Sequence, residues 1–255
     1  MNARRILVLF CLTLIFFKGA LYPADNKRSS LEVTFYKANL YYEEEKYSEA
    51  IEEYNRILDN GYVSANVYYN LGNCYYKKGL LPQALVYYEK AKRLLPRDAD
   101  LRANIEYVRS RITKSYEEPK ANFISYVMTE TFGRLNASEL VMLIFIVNIL
   151  MFMVLILRLF FIDFRKYYIY PLLIFAIIFL AAICSFLQTG AKFGKEAIVV
   201  KESSVRFEPQ DNATTHFDIY GAEKVIIISQ DKDWYKVKRL DGKVGWIRKI
   251  SLQII

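Results

Sequence analysis

Two long apolar stretches divide the chain. Leu140–Leu157 runs without a charge, and so does Ile169–Leu187. At about 1.5 Å of rise per residue, each matches the ~30 Å hydrocarbon core of a bilayer. A pair of buried helices in a soluble core is the competing reading, and two such runs in tandem argue against it. The pattern therefore predicts a two-helix transmembrane hairpin, 138–158 and 168–188, with Pro171 tolerated in the first turn of its second helix. A shorter apolar stretch, Ile6–Phe17, follows Arg4 and Arg5 and makes 1–24 a signal peptide or N-terminal anchor. Cleavage after Ala20 or Ala24 would place Lys18 or Tyr22 three residues upstream, which favours retention.

Between these segments the spacing of apolar and small residues is helical and repeats. Residues 31–64 and 65–98 align without a gap at a period of 34. The second copy carries Leu71, Gly72, Tyr75, Ala84, Tyr88, Ala91 and Pro96; the first keeps Ala38, Tyr41, Tyr47, Ala50, Tyr54 and Ile57. Small residues let antiparallel helices approach, tyrosines fill the space between them, and Pro96 ends the last helix. A third helical stretch, 99–114, presents Leu101, Ile105 and Val108 on one face and has the place of a closing helix. Two repeats and a cap over 31–114 are few for independent stability, so the module is expected to lean on a partner or on the membrane.

These positions resemble the signature of the tetratricopeptide repeat (TPR), although the first copy has Lys37 where the signature has Leu and Tyr62 where it has Pro. The resemblance implies a partner-binding groove on the first helices, formed by Glu32, Phe35, Asn39, Tyr42 and Glu43, then Asn66, Tyr69, Asn73, Tyr76 and Lys77. Its aromatic content suits peptide or helix docking. Asn39 and Asn73 match the paired asparagines of carboxylate-clamp TPRs, but Phe35, Ala103 and Tyr107 stand where that clamp has bases. Helix packing is the plain alternative for many of the tyrosines. Charge in the module is uneven: residues 31–64 hold eight acids against three bases, residues 65–114 ten bases against four acids. Solvated helix faces explain this most simply; complementary partners or head-to-tail association are the sharper readings.

Residues 115–137 form a juxtamembrane linker whose Phe123, Tyr126, Val127 and Phe132 suit a membrane interface. From Glu196 the pattern changes to short β-branched runs with turn signals every 8–12 residues, which indicates a small all-β barrel over 196–255. The order of Gly221, Trp234, Asp241, Gly242, Gly245 and Trp246 resembles a bacterial SH3-like domain. Asp241-Gly242 would make a tight hairpin, Gly245 would admit a close backbone approach, and both tryptophans read first as barrel packing and second as ligand platforms.

The net charge of +8 changes little in this picture. It gathers at the N-terminus and beside the apolar runs, while the stretches 25–120 and 196–255 are each within one charge of neutral. That distribution excludes a nucleic-acid footprint. Arg158, Arg165 and Lys166 against Asp163 place the 158–168 loop in the cytoplasm by the positive-inside rule, and both flanking domains outside. Of three cysteines only Cys74 lies outside the membrane segments, so no intrachain disulfide is expected there. One histidine, no phosphate loop and no metal-ligand spacing give no basis for an enzyme, a metal or a cofactor.

The order of signal, TPR pair, two-span hairpin and SH3-like barrel resembles the BatE type of the Bacteroides aerotolerance (Bat) proteins over essentially the whole chain. The resemblance implies a multidomain protein of the bacterial inner membrane with its TPR and SH3-like domains on the periplasmic side. It also implies membrane-anchored von Willebrand factor A proteins and a MoxR-type ATPase system as partners, and a role in envelope integrity or oxidative-stress tolerance. The expected function is a non-enzymatic adaptor. The alternative is a cell-wall sensor that binds peptidoglycan or peptide through the SH3-like domain.

Overall fold

The structure is a computed structural model that describes residues 26–112, 131–192 and 194–255. The signal or anchor segment and most of the linker, with Phe123, Tyr126 and Val127, lie outside the described residues. Five helices come first: α1 (Asn26–Glu43), α2 (Tyr47–Asp59), α3 (Ala65–Lys77), α4 (Leu81–Leu94) and α5 (Ala99–Arg111). Pro82 stands in the first turn of α4, where its missing N–H costs nothing, and Asp98 caps α5 by accepting from the Leu101 N–H at 2.8 Å.

The repeat register carries through all three units. Val67, Leu71 and Cys74 of α3 are buried, and 34 residues on so are Leu101, Ile105 and Val108 of α5. The closing helix therefore stands in register as the first helix of a third unit, of which no second helix lies among the described residues. Gly72 shows why that position is small: a Cβ there would lie 2.4 Å from the Tyr88 ring.

Two helices, α6 (Ala137–Phe160) and α7 (Ile169–Lys192), are long and apolar enough to cross a membrane. A short 3-10 turn, Asp163–Lys166, lies between them, and Arg158 there stacks on the Tyr168 ring at 4.3 Å. These helices form a compact unit apart from the rest.

Seven strands follow: β1 (Glu196–Val199), β2 (Ser203–Arg206), β3 (Thr215–Ile219), β4 (Lys224–Asp231), β5 (Trp234–Arg239), β6 (Val244–Arg248) and β7 (Leu252–Ile254). They form one antiparallel sheet in the order β3-β2-β6-β5-β4-β1-β7. No ladder joins β3 to β7 among the described residues, so the expected closed barrel is replaced by a sheet with two ends. The reason lies in what β1 and β7 touch.

Strand β1 is buried on both faces. Ala197 and Val199 point into the sheet's own core with Val205, Ile219, Val225, Val237 and Ile247. Ile198, on the alternate face, enters the helical core with Leu85, Tyr88, Leu101 and Ile105, and Ile255 joins it. The repeats and the sheet belong to one compact unit, and the sheet covers α4 where a further helix would sit. The array leans on its own chain.

Ion pairs rim this junction. Arg93 of α4 meets Glu196 of β1 at 3.0 Å and also donates to the Ile255 carbonyl oxygen. Lys224 of β4 lies 3.4 Å from Glu196 and 4.0 Å from Glu89 of α4, and Glu89 accepts from Arg109 of α5 at 2.9 Å. Burial acts to raise the Glu89 carboxyl, but Lys224, Lys92 and Arg109 outweigh it and hold the group below its ordinary 4.5.

Two expectations follow for the detergent-solubilised chain. Ile198→Ala should cost about 2–4 kcal/mol. The loss should appear at the same urea concentration in tryptophan emission, which reports the sheet through Trp234 and Trp246, and in helical ellipticity. Separate transitions would show that repeats and sheet unfold independently. Because Glu89 has a depressed value in the fold, its contribution is complete above about 4.5 and is lost as pH falls through the lower folded value. Glu89→Gln should therefore lower stability by about 2 kcal/mol near neutrality and flatten the acid limb of the stability curve; an unchanged acid limb would remove Glu89 from the account.

Candidate partner-binding groove

The groove expected from the TPR resemblance runs over the first helix of each unit, α1, α3 and α5. On α1, Phe35 meets the edge of Tyr54 with ring centroids 5.8 Å apart, and Tyr42 meets Tyr47 at 5.5 Å. On α3, Tyr69 packs beside Tyr88 at 5.9 Å, and Tyr76 meets Tyr107 of α5 edge to face at 5.8 Å. Lys77 is exposed and Tyr107 is half-exposed.

The two groove asparagines are held from behind by the second helices. The Tyr54 hydroxyl donates to Asn39 Oδ1 at 2.6 Å, and the Tyr88 hydroxyl donates to Asn73 Oδ1 at 2.7 Å. Burial raises both tyrosines above their ordinary range, so they remain protonated donors. Asn70 adds a second amide bond to Asn39 Oδ1 at 3.1 Å and one to the Tyr54 oxygen at 3.0 Å. With its oxygen committed, each groove amide has Nδ2 as its remaining donor.

The first repeat's departure from the signature exchanges a buried apolar–aromatic pair for an ion pair between a half-exposed lysine and a buried glutamate. In the second copy Leu71 is buried, Tyr87 stacks on Tyr75 at 5.1 Å, and Lys90 lies over the Tyr87 ring at 5.4 Å. The equivalent positions in the first copy are Lys37, Glu53, Tyr41 and Arg56. There Lys37 Nζ lies 2.7 Å from the buried Glu53 carboxylate, which also accepts from Arg56 at 3.1 Å. An ion pair replaces an apolar–aromatic contact in the same place.

The other signature residues are structural. Ala38, Ala50, Ala84 and Ala91 are fully buried at helix contacts, Tyr75 stacks in the core, and Pro96 follows the end of α4. In the sheet, Gly242 at φ +94° makes the β5–β6 turn, with Asp241 accepting from the Lys243 N–H at 3.0 Å. A Cβ at Gly245 would lie 2.5 Å from Val205 and 2.9 Å from the Arg206 carbonyl. One at Gly221 would lie 3.0 Å from Pro82, so this residue serves the junction with α4 rather than the sheet alone. Trp234 is buried beneath Arg248 at 5.1 Å, while Trp246 is half-buried beside Lys236 at 5.8 Å.

Two features of the groove come only from carrying the register into α5. Arg111 occupies the position of Lys77 and lies 5.6 Å from the Tyr107 ring, so Tyr76, Tyr107 and Arg111 form one aromatic, basic lip. A hydrogen bond between the two hydroxyls holds Tyr76 above the ordinary tyrosine value; the same bond, with Arg111, holds Tyr107 below it. At the opposite edge a pocket of about 180 Å³ opens between Asn66, Tyr69, Leu95, Asp98, Asp100 and Leu101. Asn104, equivalent to Asn70, donates to the Tyr69 hydroxyl oxygen at 2.9 Å and steadies its wall.

The arrangement A–B–A–B–A, with its aromatic inner face, defines a helical-repeat interaction module. Residues 65–98 match the family model of the tetratricopeptide repeat. No curated protein matches the chain.

The paired exchange makes a specific expectation. Lys37→Leu alone should lower the unfolding midpoint, because it leaves the buried Glu53 carboxylate with Arg56 only. Lys37→Leu with Glu53→Tyr, which copies the second repeat, should recover most of that loss in a denaturant titration. Strict additivity of the two singles would refute the exchange.

Proposed function

We propose that the chain is a non-enzymatic, membrane-anchored adaptor whose TPR groove docks a partner protein. The lip of Tyr76, Tyr107 and Arg111 carries the reading. It sets two aromatic rings beside a cation, with Lys77 exposed on the same helix as Tyr76, and this suits a segment that offers a carboxylate next to an apolar or aromatic side chain. The pocket with Asp98 and Asp100 at the other edge supports a segment that carries a base at its opposite end.

Topology supports the anchor. A sheet and a repeat array that share one core must stand on the same side of any membrane, and two spans between them satisfy that. The basic 158–168 loop, read by the positive-inside rule, supports a periplasmic location of both at a bacterial inner membrane. Resemblance to the BatE type supplies the partner class: membrane-anchored von Willebrand factor A proteins working with a MoxR-type ATPase system in envelope or oxidative stress.

One feature favours a second reading. A cleft of about 300 Å³ opens on the sheet beside Arg206, Asp211, Trp234, Arg248 and Ile250. If the sheet is an SH3-like binder of peptidoglycan or peptide, this is its site.

Co-purification from membranes with a co-expressed Bat-type von Willebrand factor A protein tests the first reading. Tyr76→Ala with Arg111→Glu should reduce recovery about tenfold without changing the chain's own yield. Undiminished recovery would sink the groove assignment. Sedimentation of the whole chain with purified peptidoglycan, lost on Arg248→Ala, would favour the second reading instead.

A further inference from the structure

The side of the sheet that β1 turns to the helices continues past β1. Val225 of β4, Val237 of β5 and Ile247 of β6 fill the sheet's own core, so their neighbours along each strand stand on the opposite, outer face. There Ile226 pairs with Lys238, and Lys238 with Val244. In the next row Lys236 pairs with Trp246, and Trp246 with Arg206. Directly opposed residues share a face, so apolar and basic side chains lie side by side. The helices cover only the β1 margin of this face, at Ile198 and Lys224. Beyond that margin Ile226 is 39 % exposed, and Ile228, the extra residue of the β4 bulge, is 53 % exposed.

The charge left over in these rows is basic. Glu196, which pairs with Ile226, is already held by Arg93 and Lys224. Lys236 lies 5.8 Å from the Trp246 ring and meets no carboxylate among the described residues, and neither does the exposed Lys238. An anionic surface supplies what these two lysines lack.

The covalent chain says which anionic surface is at hand. The apolar stretch of α7 runs to Gly190, the helix itself to Lys192, and β1 begins at Glu196. Even fully extended, the intervening residues hold Glu196 within about 14 Å of the helix end. The last of them already belongs to the ladder: the Ile227 N–H donates to the Lys195 carbonyl oxygen at 2.6 Å. Ile226 and Ile228 flank that bond. The basic, apolar rows therefore begin where the chain leaves the bilayer. Lysines with aliphatic stems, isoleucine and a half-buried tryptophan are the residues that suit the boundary between headgroups and acyl chains.

We propose that the outer face of β4–β6 lies on the bilayer that anchors the chain, with Lys236 and Lys238 on anionic phospholipid headgroups and Ile228 and Trp246 at the acyl boundary. This face is separate from the groove, and it rests on the membrane anchor proposed above.

The full chain would be placed in nanodiscs of phosphatidylcholine, with or without phosphatidylglycerol, each carrying a nitroxide on some headgroups. Tryptophan emission should be quenched at least about twofold more in the anionic discs, and the difference should vanish at high salt. Trp246→Phe should remove the quenched component and leave Trp234. Lys236→Glu with Lys238→Glu should return quenching to the zwitterionic level. Lys78→Glu with Arg102→Glu, which changes the net charge equally at exposed helical sites, should not. Equal quenching in both discs, or quenching that persists in the Lys236/Lys238 variant or in Trp246→Phe, would overturn the proposal. So would polyglutamate that shifts Trp246 emission saturably while anionic lipid leaves it unchanged, because the occupant would then be an acidic protein segment. Co-elution of chain and discs reads the anchor by itself. Its loss fails the anchor, whereas co-elution without lipid-dependent quenching fails the face alone.

Discussion

The fold depends on covering the second face of α4. A helical repeat is apolar on both sides, and an array of two units leaves its last helix half bare unless something closes it. Helix α5 supplies part of the cover through Leu101, Ile105 and Val108, and β1 with Ile255 supplies the rest through Ile198. A strand rarely has both faces to give. β1 does, because its Ala197 and Val199 fill the sheet while Ile198 fills the helices.

Apolar contact sets the strength of this junction; the ion pairs around it set its register. Lys224 stands between two carboxylates, Glu196 of its own sheet and Glu89 of α4, and each carboxylate has a second partner in Arg93 or Arg109. Four elements are thereby fixed at once. Glu89 shows that the arrangement is favourable despite burial, since surrounding cations overcome a desolvation that works against its charge. A sheet shifted by one residue along α4 would move Ile198 out of the core and break these pairs together.

Much of the helical half was legible in the chain because its signal is local. Gly72 and Ala84 recur with tyrosines at a gap-free spacing, and that fixes the helices, their pairing and the inner face. The apolar runs of α6 and α7 were legible for the same reason. The junction was not. Ile198 looks like any strand residue, Gly221 like a turn, and Arg93 and Glu196 lie 103 residues apart, so nothing in their neighbourhoods marks them as partners. The sheet's strands could be placed from alternation and turn residues, but closure is a property of what its edge meets. Within the groove, Phe35, Asn39, Tyr69 and Asn73 were visible from position. Tyr107 was visible as the residue standing where a carboxylate clamp has a base, whereas Arg111 shows only when the repeat register is carried to the end of α5, one turn beyond its buried face.

Comparing the three copies at fixed register separates what the fold demands from what it does not. At the position of Leu71, the third copy has Ile105 and the first has Lys37, and the change to lysine is tolerated because Glu53 compensates within the same chain. At the position of Val67 the copies read Val33, Val67 and Leu101, all apolar. For Val67 and Leu101 the neighbouring second helix explains this. For Val33 no such helix lies among the described residues.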